Sequence, residues 1–235
     1  MARGGKGSGG RPLTVRPHKA RRRKPSSTEW LTRQLNDPYV AEAQRLGFRS
    51  RAAFKLQQLD ERFHLLKPGQ RVVDLGAAPG GWTQIAVAAT RADQAGAGKR
   101  GGRVVALDLL EIAPLAGATV LQLDFLDPAA PAAIRGALDG PADLVLSDMA
   151  APATGHAKTD HLRILGLCEA ALEFAEATLA PGGAFVAKLF QGGAEAELLK
   201  RLRQLFATVR HAKPPSSRAE SAESYVVATG FRGGS

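Results

Sequence analysis

Val72-Val73-Asp74-Leu75-Gly76-Ala77-Ala78-Pro79-Gly80-Gly81-Trp82 is the stretch on which the reading of this chain turns. Val72 and Val73 read as a buried strand, closed by the carboxylate of Asp74. A loop of small residues follows, and Trp82 opens the helical-looking segment 83–88. Strand, tight glycine loop and helix make the opening unit of an α/β nucleotide-type site. Glycine is needed where a ligand must touch backbone, because a Cβ would block close approach or forbid the turn. The helix start presents free N–H groups to such a ligand. The dinucleotide pattern G-x-G-x-x-G is absent, since the spacing from Gly76 is G-A-A-P-G-G. The phosphate-loop pattern is absent too, since no lysine follows the glycines. A carboxylate just before Gly76 would repel a pyrophosphate. It suits a ligand with a positive group, such as the amino group of S-adenosylmethionine (SAM). D-L-G alone would fit an ordinary βα turn equally well, but the full D-L-G-A-A-P-G-G-W run is far more specific.

The same grammar continues on the C-terminal side. Arg103 to Asp108 reads as a second strand and Val120 to Asp124 as a third, each ending in an acid. An acid at the end of the second strand is placed to accept the hydroxyls of a bound ribose. Asp124 is suited to an adenine amino group. Any one of these acids could be only a turn or cap residue, but Asp74, Asp108 and Asp124 in succession favour a shared adenosyl ligand. A helix is expected from Asp127 to Leu138, then a fourth strand from Ala142, whose exit carries Asp148 towards the transferred group. A loop over 151–159 and a helix from His161 to Leu179 follow. Ala184 to Phe190 is a fifth strand with Lys188 inside an apolar run, which a core strand tolerates poorly unless the lysine is paired or functional. After a helix from Glu195 to Phe206, the segments 207–211 and 225–230 read as a hairpin. The whole predicts a Rossmann-like, mostly parallel seven-stranded sheet with one antiparallel strand near its edge and helices on both faces. That is the plan associated with SAM-dependent methyltransferases.

On the N-terminal side the signal is charge. The net charge is +10, from 32 basic and 22 acidic residues, and nine of the basic ones fall in residues 1–28, which hold no acid. Residues 1–27 therefore read as a disordered basic arm suited to a polyanion such as RNA, and 28–232 as one domain. A helix is expected to begin near Glu29, broken at Asn36-Asp37-Pro38 and ended by Gly47. The next helical pattern, 48–65, carries Arg49, Arg51 and Lys55 as a positive strip near the site. The single cysteine, Cys168, excludes a disulfide framework and a cysteine-based zinc cluster. The five histidines show no ligand-like spacing apart from His156 and His161, which read as loop and cap residues, so no metal is expected. No run of about 18 apolar residues exists. No secretory signal is visible, so a cytoplasmic location is the default.

Assembled, these residues resemble the FtsJ/RrmJ family, most closely its bacterial branch acting on large-subunit ribosomal RNA. The resemblance covers about Ser27 to Gly230. It is carried by Arg49 through Leu56, Val72 through Trp82, Ser147 through Ala150, Phe185 through Gly192, Ser216-Ser217-Arg218 and Tyr225 through Gly230. It implies methyl transfer from SAM to a ribose 2′-hydroxyl by a Lys-Asp-Lys-Glu tetrad, here Lys55, Asp148, Lys188 and Glu223. The implied substrate is a uridine in the aminoacyl-site loop of 23S rRNA within the large ribosomal subunit. The expected cofactor contacts are Asp74, Gly76, Gly80, Gly81, Trp82, Asp108, Asp124 and Asp148. The expected RNA contacts are Arg49, Arg51, Lys55, Arg218 and the arm, with the protein acting as a monomer. Lys188 is the choice for general base, with steering of the hydroxyl as the alternative role for the lysines. The chain departs from the bacterial pattern in its long arm, in the Gly/Lys/Arg loop at 94–102, and in Ala151-Pro152-Ala153 where Pro-Asn is expected. Rival expectations are a 2′-O-methyltransferase for another RNA, such as tRNA, and a non-catalytic ribosome-assembly factor.

Overall fold

A computed structural model describes residues 32, 34–94, 101–152, 154–190 and 195–233. The expected arm, the helix start near Glu29, and most of the 94–102 loop lie outside the described residues, as do Gln191 and Gly192.

The apolar runs singled out above become the centre of one sheet. β1 (Arg71–Leu75), β2 (Arg103–Asp108) and β4 (Ala142–Ser147) have their interior positions buried, apart from the partly buried Asp143. Continuous burial is what parallel strands covered on both faces require. β1 pairs in parallel with β2 and β4, so that Val73 lies between Val105 and Val145. β3 (Ala118–Gln122) flanks β2, and β5 (Leu179–Phe190) flanks β4. β7 (Glu223–Phe231) runs antiparallel between β5 and β6 (Phe206–Ala212). The strand order is β3-β2-β1-β4-β5-β7-β6. The chain winds outward in opposite directions from β1 and β4, and a crevice opens beyond the carboxyl ends of strands at such a switch point.

Two helical layers cover the sheet. α1 (Pro38–Leu46) leads to α2 (Ala53–Phe63), and α3 (Gly81–Thr90) follows β1. Leu56 and Leu59 of α2 and Trp82 and Ala86 of α3 pack with Val72, Leu144, Val186 and Tyr225. On the other face, α4 (Ala130–Leu138), α5 (Ala157–Thr178) and α6 (Ala196–Leu205) cover Val73, Val145, Phe185 and Ala187. Because strand side chains alternate, Val186 and Lys188 share the α2 face while Ala187 and Leu189 share the opposite one. The antiparallel register sets Lys188 against Tyr225 and Phe190 against Glu223. The pairing of β5 with β7 thus delivers Lys188 to the face that α2 covers.

Several boundaries differ from the sequence reading. β3 ends at Gln122, so Asp124 lies two residues past it, in the turn where Leu123 N–H donates to Asp108 O. α4 begins at Ala130, because the Asp127 carboxylate first accepts the Ala129 N–H in a turn. α5 begins at Ala157, four residues before His161, with His156 at its cap. β5 begins at Leu179, paired with Ala142, and the register shifts before Leu144 meets Ala184. Among the described residues, no helix is long and apolar enough to cross a membrane.

Leu172 sits fully buried on α5 against the sheet. Leu172→Ala is expected to lower unfolding free energy by about 2–5 kcal/mol, measured by urea denaturation. A loss under 1 kcal/mol would mean that this layer is loosely packed.

Candidate active site

The crevice at the switch point is a cavity of about 640 Å³, within the range of small-molecule sites. Most of its lining comes from the ends of successive strands: Gly76 and Ala78 after β1, Asp108 to Leu110 at the end of β2, Asp124 to Leu126 after β3, and Asp148 to Pro152 after β4; α5 adds Arg163, Gly166 and Leu167. Gly76 has φ +74°, and a Cβ there would stand 2.7 Å from Met149 Cα. Only glycine lets these two walls meet so closely. Asp108 ties the loop after β1 to the loop after β2: Oδ2 accepts the Ala78 N–H at 2.9 Å and Oδ1 the Leu110 N–H at 2.9 Å. Each carboxylate oxygen keeps a lone pair for a ligand hydroxyl. Asp124 is exposed and accepts the Leu126 N–H through Oδ1. Leu109, Leu110 and Leu126 are 63%, 67% and 61% exposed at the mouth. Apolar side chains flanking two carboxylates suit a flat heterocycle joined to a ribose, so the residues present fit an adenosyl group.

The other residues expected at the cofactor stand behind this wall. Asp74 is completely buried, and its Oδ2 accepts from Thr83 Oγ1 at 2.7 Å while Oδ1 has no hydrogen-bond partner. Burial pushes its pKa up to about 7; the Thr83 hydrogen bond opposes this, and the charges of Asp148 and Asp108 reinforce it. Gly80, with φ +108°, is the N-cap of α3, and Gly81 lies against Ser50 Oγ. The Trp82 side chain does not line the cavity. It is 2% exposed, its Nε1–H donates to Ala52 O at 2.8 Å, and its ring lies 5.5 Å from that of Tyr225. Its indole therefore joins α3 to α2 and β7.

Beside the cavity, four separate segments converge. Lys188 Nζ on β5 is 2.7 Å from Asp148 Oδ1 and donates to Asp148 O at 2.8 Å. Lys55 Nζ on α2 is 2.8 Å from both Glu223 carboxylate oxygens. Tyr225, absent from the site expectations, joins the pairs. Its hydroxyl donates to Asp148 Oδ1 at 2.8 Å, and its ring lies 5.8 Å from Lys55 Nζ. Burial opposes ionisation of Asp148, but the charges of Lys188 and Lys55 and the hydrogen bonds from Lys188 and Tyr225 hold its pKa below the ordinary value. Burial, with the negative charges of Asp148 and Glu223, raises the Tyr225 phenol well above its own. Tyr225 therefore stays neutral and donates. Ser217, also unforeseen, donates to Glu223 Oε1 at 2.9 Å.

Each cation of the positive strip expected at Arg49, Arg51 and Lys55 meets protein acceptors. Lys55 pairs with Glu223, and Arg49 donates to three main-chain carbonyls. Arg51 pairs with Asp37 at 3.0 Å and donates to Ser216 O. Arg218 reaches the same Asp37 oxygen at 3.3 Å. Asp37 also caps α1 through the Tyr39 N–H. No group of three or more His, Cys, Asp or Glu side chains that could hold a metal ion occurs among the described residues.

Comparison with known proteins agrees with this geometry. The profile of the FtsJ-like methyltransferases matches residues 48–231. A Paramagnetospirillum magneticum protein named ribosomal RNA large subunit methyltransferase E is 64% identical over 246 aligned positions, covering all of both chains. A Rhodospirillum rubrum protein of the same name is 63% identical, covering 98% of this chain and 86% of its own. Among solved structures, a Plasmodium falciparum protein assigned as a ribosomal RNA methyltransferase superposes with a TM-score of 0.69. It is 26% identical and covers 80% of this chain and 100% of its own.

The raised Asp74 pKa has a consequence for stability. The folded chain holds this proton more tightly than the unfolded chain, so the contribution is full below the ordinary value of 3.8 and is lost as pH rises through about 7. Asp74→Asn cannot ionise. Its urea midpoint relative to wild type is expected to climb between about pH 4 and about pH 7, and then level off. A pH-independent difference would show that Asp74 titrates normally.

Proposed function

The chain belongs to the FtsJ-like methyltransferase family, and from that premise we propose that it transfers a methyl group from SAM to a ribose 2′-hydroxyl of large-subunit ribosomal RNA. The observation that carries this reading is the double membership of Asp148, which lines the cavity and also holds Lys188. A cofactor in the cavity and a hydroxyl at Lys188 would therefore be neighbours.

The cofactor supplies a methyl already activated on a sulfonium. The protein has to align the oxygen and take its proton, and alignment provides much of the acceleration. Lys188 Nζ faces two acceptors, Asp148 Oδ1 and Asp148 O. A neutral amine donating to both keeps its lone pair for the 2′-hydroxyl proton. A protonated one offers a third N–H, which orients the oxygen instead. We assign Lys188 the base role: its Nζ would take the 2′-proton and pass it to solvent as the 2′-oxygen accepts the methyl that the bound cofactor would supply. Lys55, fixed by Glu223, adds positive potential for the oxygen. Asp108 is assigned to the ribose of the cofactor and Asp124 to its adenine end. Asp74 and the start of α3 are assigned to support of the loop that carries Gly76.

The names of the full-length relatives support ribosomal RNA of the large subunit as substrate. The finer reading is a uridine in the aminoacyl-site loop of 23S rRNA, modified in the large subunit by a monomer in the cytoplasm. The basic residues 1–27 would grip phosphates. Another RNA such as tRNA, or a non-catalytic assembly role, remains the contrary outcome of the test. The intact, mutually paired tetrad favours an enzyme.

Two variants separate chemistry from binding. Lys188→Ala is expected to lower kcat by about 10²–10⁴-fold with SAM affinity nearly unchanged. Asp108→Ala is expected to weaken SAM binding, read by calorimetry. Full turnover in Lys188→Ala would remove that residue from the mechanism. Deleting residues 1–26 is expected to flatten the salt dependence of RNA binding, and an unchanged slope would make the arm a bystander.

A further inference from the structure

Arg49 precedes α2 in a basic stretch and, by charge alone, passes for a phosphate contact. In the structure its guanidinium is turned onto main chain. Nη1 donates to Ala113 O at 2.6 Å and to Pro79 O at 3.3 Å, and Nη2 donates to Pro114 O at 2.7 Å. The Arg49 N–H donates to Gln84 Oε1 at 2.7 Å, and Gln84 Nε2 donates back to Gly47 O at 3.0 Å. Three segments therefore meet at one side chain. The first leads into α2 and its Lys55, and the other two are the loops after β1 and β2. Those loops carry facing parts of the cavity wall, Gly76 and Ala78 on one and Leu109 and Leu110 on the other. Gly80 leaves room for the arrangement: a Cβ there would stand 2.8 Å from Arg49 Nη1 and 3.0 Å from its Cδ.

We infer that Arg49 is a positioning residue that sets the gap between the two cofactor-bearing loops and ties it to the helix that carries Lys55. This rests on the reading of the cavity as a SAM site. Charged donors on neutral carbonyls make strong hydrogen bonds, and the planar fork reaches two loops at once. A lysine at the same position would present a single point charge and could not span them. Arg49 then acts on cofactor affinity, whereas a phosphate contact would act on RNA affinity and its salt dependence.

The test compares wild type, Arg49→Ala and Arg49→Lys by calorimetry with SAM and by RNA binding over a salt series. The clamp predicts that SAM Kd rises about tenfold in both variants, the equivalent of one such charged hydrogen bond. KM for SAM should rise in step with Kd, and the RNA salt slope should stay at the wild-type value. Arg49→Lys keeps the charge and the aliphatic stem, so it stays informative if Arg49→Ala fails to fold. Wild-type SAM affinity in Arg49→Lys, or a salt slope lowered by about one with SAM Kd unchanged in Arg49→Ala, would overturn the clamp and restore the phosphate contact. Failure of wild type itself to bind SAM would overturn the functional reading and the clamp together.

Discussion

The ion pair between Lys188 and Asp148 is the contact on which the site depends. A lysine in the middle of a sheet is costly unless a partner meets it, and here its side chain is only 9% exposed. The partner cannot come from the same strand. It comes from the exit of β4, where Asp148 follows the last paired residue, Ser147, opposite Ala187 of β5. The pair therefore requires β4 and β5 to be parallel neighbours in this register. A shift of one residue would turn Lys188 to the opposite, apolar face. The antiparallel insertion of β7 completes the environment, since it alone brings Tyr225 and Glu223 to the same face as Lys188.

Asp148 then links two features that the fold builds separately, the cavity and the cluster of paired charges. The cavity is made from strand ends around the switch point, with Gly76 and Asp108 joining its walls. The tetrad is made between the sheet and α2. Positions taken up by Asp148 are felt by both. The clamp at Arg49 is a second link, running from the cavity loops to α2 by main-chain carbonyls. The Asp37 carboxylate is a third, holding Arg51 and Arg218 together and so fastening α1 to the 213–222 connection that precedes Glu223.

The strands were legible because each is an apolar run of strand length ended by an acid or a turn, and parallel pairing demands such runs. The edge was less legible. β3 is only half-buried, so its apolar signal is weak, and the sequence pattern points to an end two residues past the true one. Lys188 could be singled out by its improbable surroundings, and Lys55 and Glu223 only by resemblance, since nothing local marks them. Tyr225 carried a usable signal: it lies two residues from Glu223 in a strand and so on the same face. The carbonyls that the arginines meet were not legible, because charge shows what a side chain can donate and says nothing of its partners. The place of Trp82 in the loop motif likewise gave no hint that the indole would join the core.

The most direct test of the central claim is methyl transfer from labelled SAM to large ribosomal subunits that lack their own modification, with the product mapped by resistance of the 2′-O-methylated linkage to alkali. The account predicts label on a single ribose of the subunit's RNA. Label on a base, on tRNA alone, or nowhere despite bound SAM would contradict it.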